Sequence, residues 1–150
     1  MKYFIFFVAS LLFLSCETYS SKDLENFDKE IQHYLDSVNV SMEKTEDGMY
    51  YTIIDEGEGE DYVSYKDEVT FYYTGYLLNG NSFQSIQEDD PITHPVQNLI
   101  VGWQDALMML KKGGRMEIII PPQLGYGDRT TELIPKNSIL RYRIGVVDIH

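Results

Sequence analysis

The chain has 150 residues, 43% of them hydrophobic and 13% aromatic, which suits one folded domain with a core and not a disordered chain. Twenty-four acidic residues against twelve basic ones give a formal charge of -12, which argues against a nucleic-acid surface and against a basic patch for anionic lipid. The only cysteine, Cys16, leaves no intramolecular disulfide and no cysteine-built zinc site, and His33, His94 and His150 show no ligand spacing.

At the amino terminus Lys2 precedes a twelve-residue run, Tyr3 to Leu14, that is mostly apolar and broken only by Ser10. It is shorter than the roughly 20 apolar residues a spanning helix needs and matches the apolar core of a secretory signal. The run closes on Phe13-Leu14-Ser15-Cys16, which resembles the lipobox of bacterial lipoproteins, with Phe13 where Leu is usual. The resemblance implies a lipidated Cys16 as the first mature residue and a chain anchored to a membrane of the bacterial cell envelope, on its periplasmic or outer-surface face. A plain signal peptide with an incidental Cys is the alternative. The expected organisation is a signal peptide over 1–15, a tether over 16–22, an N-terminal helix and linker over 23–47, and a folded domain over 48–150.

From Asp23 onward Leu24, Phe27, Ile31, Tyr34, Leu35 and Val38 recur at steps of three and four, the spacing of one helical face. Ser20, Ser21 and Asp23 are each suitable caps. The single stripe suits a spacer packed on the domain or a dimerisation helix, so the oligomeric state stays open.

Strand signals begin at Gly48. Met49 to Ile54 is rich in Tyr, Thr and Ile; Asp55 to Glu60, with Gly57 and Gly59, reads as a turn-rich break. Val69 to Leu78 alternates, with Val69, Phe71, Tyr73, Gly75 and Leu77 on one face. Asn79-Gly80 then predicts a type I′ hairpin, and Phe83 opens the returning segment. Trp103, Ala106, Leu107 and Leu110 have helical spacing, and Gly113-Gly114 is the expected stop of that short helix. Met116 to Ile120 reads as a strand ended by Pro121-Pro122, and Ile139 to Ile149 as a long final strand with Leu140, Tyr142, Ile144 and Val146 on one face. Strands around one short central helix predict an α+β fold.

The segments Val69-Thr70-Phe71-Tyr72-Tyr73-Thr74-Gly75-Tyr76-Leu77, Leu99-Ile100-Val101-Gly102-Trp103, Leu110 to Arg115, Ile119 to Gly127 and Leu133 to Leu140 resemble, in order and nearly in spacing, the motifs of FKBP-type peptidyl-prolyl cis/trans isomerases. The match runs roughly from Met49 to Ile149. It implies a curved antiparallel sheet wrapped around a short central helix, preceded here by the N-terminal amphipathic helix. The layout of anchor, acidic helix and domain is similar to FKBP-type lipoproteins of Bacteroidetes, some of which are linked to gliding motility.

The resemblance also implies an activity: isomerisation of X-Pro bonds in proline-containing polypeptides, assisting the folding of exported proteins. Rotation breaks no covalent bond, so neither cofactor nor metal is called for. By motif position Trp103 would be the floor under the proline ring. Tyr73, Phe83 and Tyr142 would be walls, and the hydroxyl of Tyr126 and the N–H of Ile100 would hold substrate carbonyls. Leu99 and Ile134 complete the implied pocket, and Gln84 stands where an acidic residue is usual. Tyr142 takes the place of a wall Phe, Ile92 that of a wall aromatic, and the loop Asp128 to Glu132 is a little short. These departures imply weakened turnover and poor macrolide binding, or a chaperone or binding module on the same fold. Periodicity alone would make the same aromatics ordinary core residues. An enzyme of Ser-His or paired-carboxylate type has no recognisable motif here.

Overall fold

In the computed structural model the described residues are 18–150; the apolar run and Cys16 lie outside them. The elements in chain order are α1 (Ser21–Ser37), β1 (Glu43–Lys44), β2 (Tyr50–Asp55), β3 (Glu58–Tyr62), β4 (Glu68–Leu77), β5 (Ser82–Ile86), β6 (Ile92–Pro95), α2 (Val101–Leu107), β7 (Lys111–Lys112), β8 (Arg115–Ile120) and β9 (Leu140–Ile149). Single 3-10 turns, Val96–Asn98 and Pro122–Leu124, precede α2 and follow β8. The main sheet is antiparallel, in the order β1-β2-β8-β9-β4-β5, and β6 pairs with the first half of β4. This is the expected α+β architecture, a curved antiparallel sheet around a short helix.

Helix α1 begins earlier than Asp23 because Ser20 is its cap. The Ser20 hydroxyl accepts from the Asp23 N–H at 3.3 Å, and the Asp23 carboxylate accepts from the Ser20 N–H at 2.9 Å, a reciprocal capping box. Its end is a Schellman motif: Asn39 is left-handed (φ 52°), Val40 N–H donates to Leu35 C=O, and Asn39 N–H donates to Asp36 C=O. Ile31 and Leu35 are buried against Tyr50, Ile119 and Ile139, with Phe27, Tyr34, Met42 and Leu78 around them. The helix therefore covers the convex face of the sheet. Both faces of β8 are buried over its last three residues, so Ile118-Ile119-Ile120 reads as an unbroken apolar run: Ile118 and Ile120 point to the inner core and Ile119 to α1.

The inner face carries the larger core. Val69 and Phe71 of β4, Met116, Ile118 and Ile120 of β8, and Leu140, Tyr142, Ile144 and Val146 of β9 pack on Trp103, Ala106 and Leu107 of α2 and on Leu110 just past it.

Three expectations are corrected. Asp55 to Glu60 is not only a break, since β3 forms there and pairs with β7 across a bulge. Every β3 residue is exposed, so no burial alternation announces it. Gly113-Gly114 does not stop the helix. Helix α2 ends at Leu107, because Lys111 N–H donates to Glu56 C=O at 2.8 Å and draws the next residues into the β3–β7 ladder; Gly113 (φ 80°) turns the chain from β7 into β8. The hairpin after β4 is not type I′. Gly80 N–H donates to Leu77 C=O, and Gly80 (φ 90°) alone is left-handed, while Asn79 is not. Leu77 N–H meets Asn81 C=O across the three-residue loop of the type I turn and glycine bulge form.

Candidate active site

Helix α2 is entered through Ile100, whose extended backbone caps it and whose C=O accepts from Trp103 N–H at 2.9 Å and Gln104 N–H at 3.1 Å. That first turn drops the Trp103 indole onto the inner face, where it is 4% exposed. Phe71 and Tyr73 reach it because alternate residues of β4 share a face, and Tyr142 reaches it from β9. Ring centroids of Phe71, Tyr73 and Tyr142 lie 5.1, 4.9 and 5.1 Å from Trp103, and the two tyrosines meet the indole edge-on at 80° and 82°. Edge-on contact suits the aromatic quadrupoles and leaves space that stacked rings would fill.

That space is a cleft of about 250 Å³. Trp103, Tyr73, Tyr142, Leu99, Ile100, Tyr126 and Gln84 all line it, so the fold brings together most of the residues singled out from the sequence. Two do not line it. Phe83 sits behind the wall, with its ring perpendicular to Tyr142 at 5.6 Å. It lies across Gly75, where a Cβ would come within 2.5 Å of the Phe83 ring and 2.8 Å of the Tyr142 ring, so the strand needs glycine at that point. Register slips by one residue opposite Gly75–Tyr76, a bulge that re-aims Phe83. Ile134 is buried in the core beneath the loop after Tyr126.

The cleft also takes Phe71, Ile92, His94 and Asn98. Phe71 belongs to the alternating face already visible in the sequence. His94 was out of reach of that pattern, since β6 is a four-residue strand ending in proline that forms only by pairing with β4. Gln104 supports the site from outside it: its Nε2 donates to Leu99 C=O at 2.7 Å and holds the turn that carries Leu99 and Ile100.

The site is neutral where it is deepest. Burial pushes the Tyr142 hydroxyl far above the ordinary tyrosine range, with Tyr126 and Tyr73 adding to the shift and the Trp103 indole opposing it. Burial, then Tyr126, raises Tyr73 as well. Both phenols therefore stay protonated at neutral pH. At the mouth, Tyr126 is 38% exposed. Among the described residues neither its hydroxyl nor the Ile100 N–H has a hydrogen-bond partner. An apolar floor flanked by one free donor and one free hydroxyl can take an apolar ring and hold a carbonyl beside it.

An antiparallel sheet curved over one short helix, with an aromatic cleft between them, defines an α+β protein of the sheet-over-helix class. The family model described as FKBP-type peptidyl-prolyl cis-trans isomerase matches residues 59–147, more than half of the 150. The chain belongs to that family. It is 44% identical over 107 residues to the FKBP-type peptidyl-prolyl cis-trans isomerase FkpA of Buchnera aphidicola subsp. Schizaphis graminum, covering 71% of this chain and 42% of that protein. It is 36% identical over 104 residues to the peptidyl-prolyl cis-trans isomerase Mip of Coxiella burnetii, covering 68% and 45%. The crystal structure of FkpA from Escherichia coli superposes with a TM-score of 0.73 at 27% identity, over 85% of this chain and 61% of that one. The chain matches less than half the length of these curated relatives.

Proposed function

We propose that the chain is a peptidyl-prolyl cis/trans isomerase that acts on proline-containing polypeptides in the bacterial cell envelope and assists folding of exported proteins. One observation carries the reading: the buried Trp103 forms the floor of an open aromatic cleft, with the Ile100 N–H and the Tyr126 hydroxyl unpartnered at its edge. The barrier to X-Pro rotation is roughly 18–20 kcal/mol, from amide resonance. Catalysis needs only that the site bind the twisted amide better than the planar one. Twisting reduces charge separation, so an apolar cleft favours it more than water does. Trp103, Tyr73 and Tyr142 hold the ring, while Ile100 N–H and Tyr126 fix one carbonyl as the other side turns. Gln84 and Ile92, in place of an acidic and an aromatic residue, keep turnover below that of a typical family member and disfavour macrolides.

A lipidated Cys16 would anchor the chain to a membrane. Among the described residues no helix is long and apolar enough to cross one. Cys16 lies three residues before Tyr19. Three extended residues span about 10 Å, so the lipid would hold the domain against the bilayer. Replacing Cys16 by Ser should remove the acyl mass and release the protein from the membrane fraction. The activity is tested by exchange NMR on an X-Pro tetrapeptide. Wild type should accelerate exchange, and Tyr126→Phe should lower the rate about 3- to 10-fold, the worth of one neutral hydrogen bond. No acceleration by wild type would leave a binding module only.

A further inference from the structure

A second, larger groove of about 770 Å³ adjoins the proline cleft. Ile100 and Tyr126 border both. The far wall of the groove is Thr18 and Tyr19, just ahead of α1, with Leu24 of that helix, and its floor is the turn Pro122 to Gly125. The two volumes divide the task. About 250 Å³ takes a pyrrolidine ring with part of its flanking backbone, whereas the groove falls within the roughly 300–1,000 Å³ of ordinary ligand sites.

Two observations show that the helix start is built to face this groove. Tyr19 precedes the cap residue and Leu24 is the fourth residue of α1, the two positions that often close on each other as a hydrophobic staple. Here the Tyr19 ring meets Phe27 edge-on at 5.2 Å instead, and its hydroxyl donates to Asn137 Oδ1 at 2.8 Å, tying the segment to the loop beyond Tyr126. Leu24, on the apolar stripe that the sheet buries at Ile31 and Leu35, is left 39% exposed and lines the groove.

We propose that this groove is a second subsite for the same client polypeptide, taking an apolar residue a few positions from the proline held over Trp103. Ile100 and Tyr126 border both spaces, so the groove is the next surface that an extended backbone leaving the cleft past either residue meets. The N-terminal helix then contributes to client choice as well as to stability. The inference rests on the proposed proline site, and its test separates the two.

Three peptides are compared on the full chain: an X-Pro tetrapeptide, and two decapeptides with the same centre, each extended on one side or the other by a leucine-containing segment. One extended peptide should bind about 10-fold more tightly than the tetrapeptide, a gain of 1.4 kcal/mol. Leu24→Asp should erase that gain while leaving tetrapeptide affinity and turnover within about 2-fold of wild type, by the tenfold-per-1.4 kcal/mol scale. NMR shift changes around Thr18–Leu24 and at Gln123 and Arg129 on adding the extended peptide, absent with the tetrapeptide, give a readout in wild type that needs no variant. Equal affinity for all peptides overturns the proposal. So does a gain that survives Leu24→Asp, or a variant that weakens short and long peptides alike. Length-dependent binding without turnover would sink the isomerase reading and leave the subsite standing.

Discussion

The two faces of the sheet are covered by helices of very different length, and the difference is the origin of the site. On the convex face the seventeen residues of α1 lie over Tyr50, Ile119 and Ile139 and leave that cluster closed. Its rim is polar and satisfied: Asp28 accepts from the Tyr50 hydroxyl at 2.7 Å and pairs with Lys44 at 2.5 Å. On the inner face the seven residues of α2 cannot cover β4 and β9, and two tyrosine rings edge-on to Trp103, with Phe71 tilted beside them, leave a cleft. Apolar surface that a longer helix would have buried stays available to a ligand. Closure yields stability on one side, and incomplete closure yields binding on the other.

The strongest way to break this comparison is Trp103→Ala. Removing the indole should cost about 3–5 kcal/mol, as for large aromatic truncations in cores, and should abolish isomerase turnover. Urea denaturation and an exchange assay read the two effects. Trp103→Phe should retain the fold and part of the rate. Turnover that survived Trp103→Ala would mean the cleft is not where the proline binds.

Ile31→Ala makes the matching change on the convex face. Ile31 is fully buried, so the loss should be about 3 kcal/mol, within the range for Ile truncation, with turnover per folded molecule unchanged. A fall in turnover would show that the two faces are coupled through the sheet.

The faces should also differ in alkali. The Tyr142 pKa is raised in the folded state, first by burial, so its protonated form is favoured by folding. Its stabilising share is complete below the unfolded tyrosine pKa of about 10 and falls above it by up to 1.4 kcal/mol per pH unit. Tyr142→Phe should therefore flatten the loss of stability above that pH. Tyr50, raised by burial and by its bond to Asp28 on the more exposed rim, should contribute a smaller slope, so Tyr50→Phe should flatten it less. Equilibrium unfolding between about pH 9 and 11 compares the variants around the tyrosine range.

The inner-face rings were legible in the sequence because period-two alternation marks one face of a strand: Phe71 with Tyr73, and Tyr142 with Leu140 and Ile144. The stripe of α1 was legible for the same kind of reason, although only packing showed that Ile31 and Leu35 are buried while Leu24 and Val38 are not. What periodicity could not give was pairing between distant segments. Strand β3 has no buried residue, β7 has two residues and β6 ends in proline, so each exists only through its partner. The early stop of α2 at Leu107 follows from the same long-range pairing, and with it the size of the cleft. Phe83 and Ile134 mark a finer limit. Order of motifs brought them to the neighbourhood of the site, but a bulge opposite Gly75 and the burial of the loop after Tyr126 decided that they support the wall without lining it.

The gentlest change sharpens the comparison within the cleft itself. Gln84 lies exposed on β5 at the cleft rim, a neutral group beside a neutral floor. Twisting an X-Pro amide removes the nitrogen's donation into the carbonyl and leaves its carbon more electron-poor. A carboxylate at the rim would favour that carbon over the planar form, while solvent there screens most of the effect. Gln84→Asp should therefore raise turnover about 3-fold, well under the 1.36 kcal/mol of a tenfold change. Stability should stay within about 0.5 kcal/mol, as for most surface substitutions. The paired measurement is turnover of wild type and variant on the same tetrapeptide at low and high salt, with the gain shrinking as salt rises. An unchanged rate at low salt would place the rate limit in the ring contacts around Trp103, where Ile92 also lines the cleft. Ile92→Phe would then be the change that raises it.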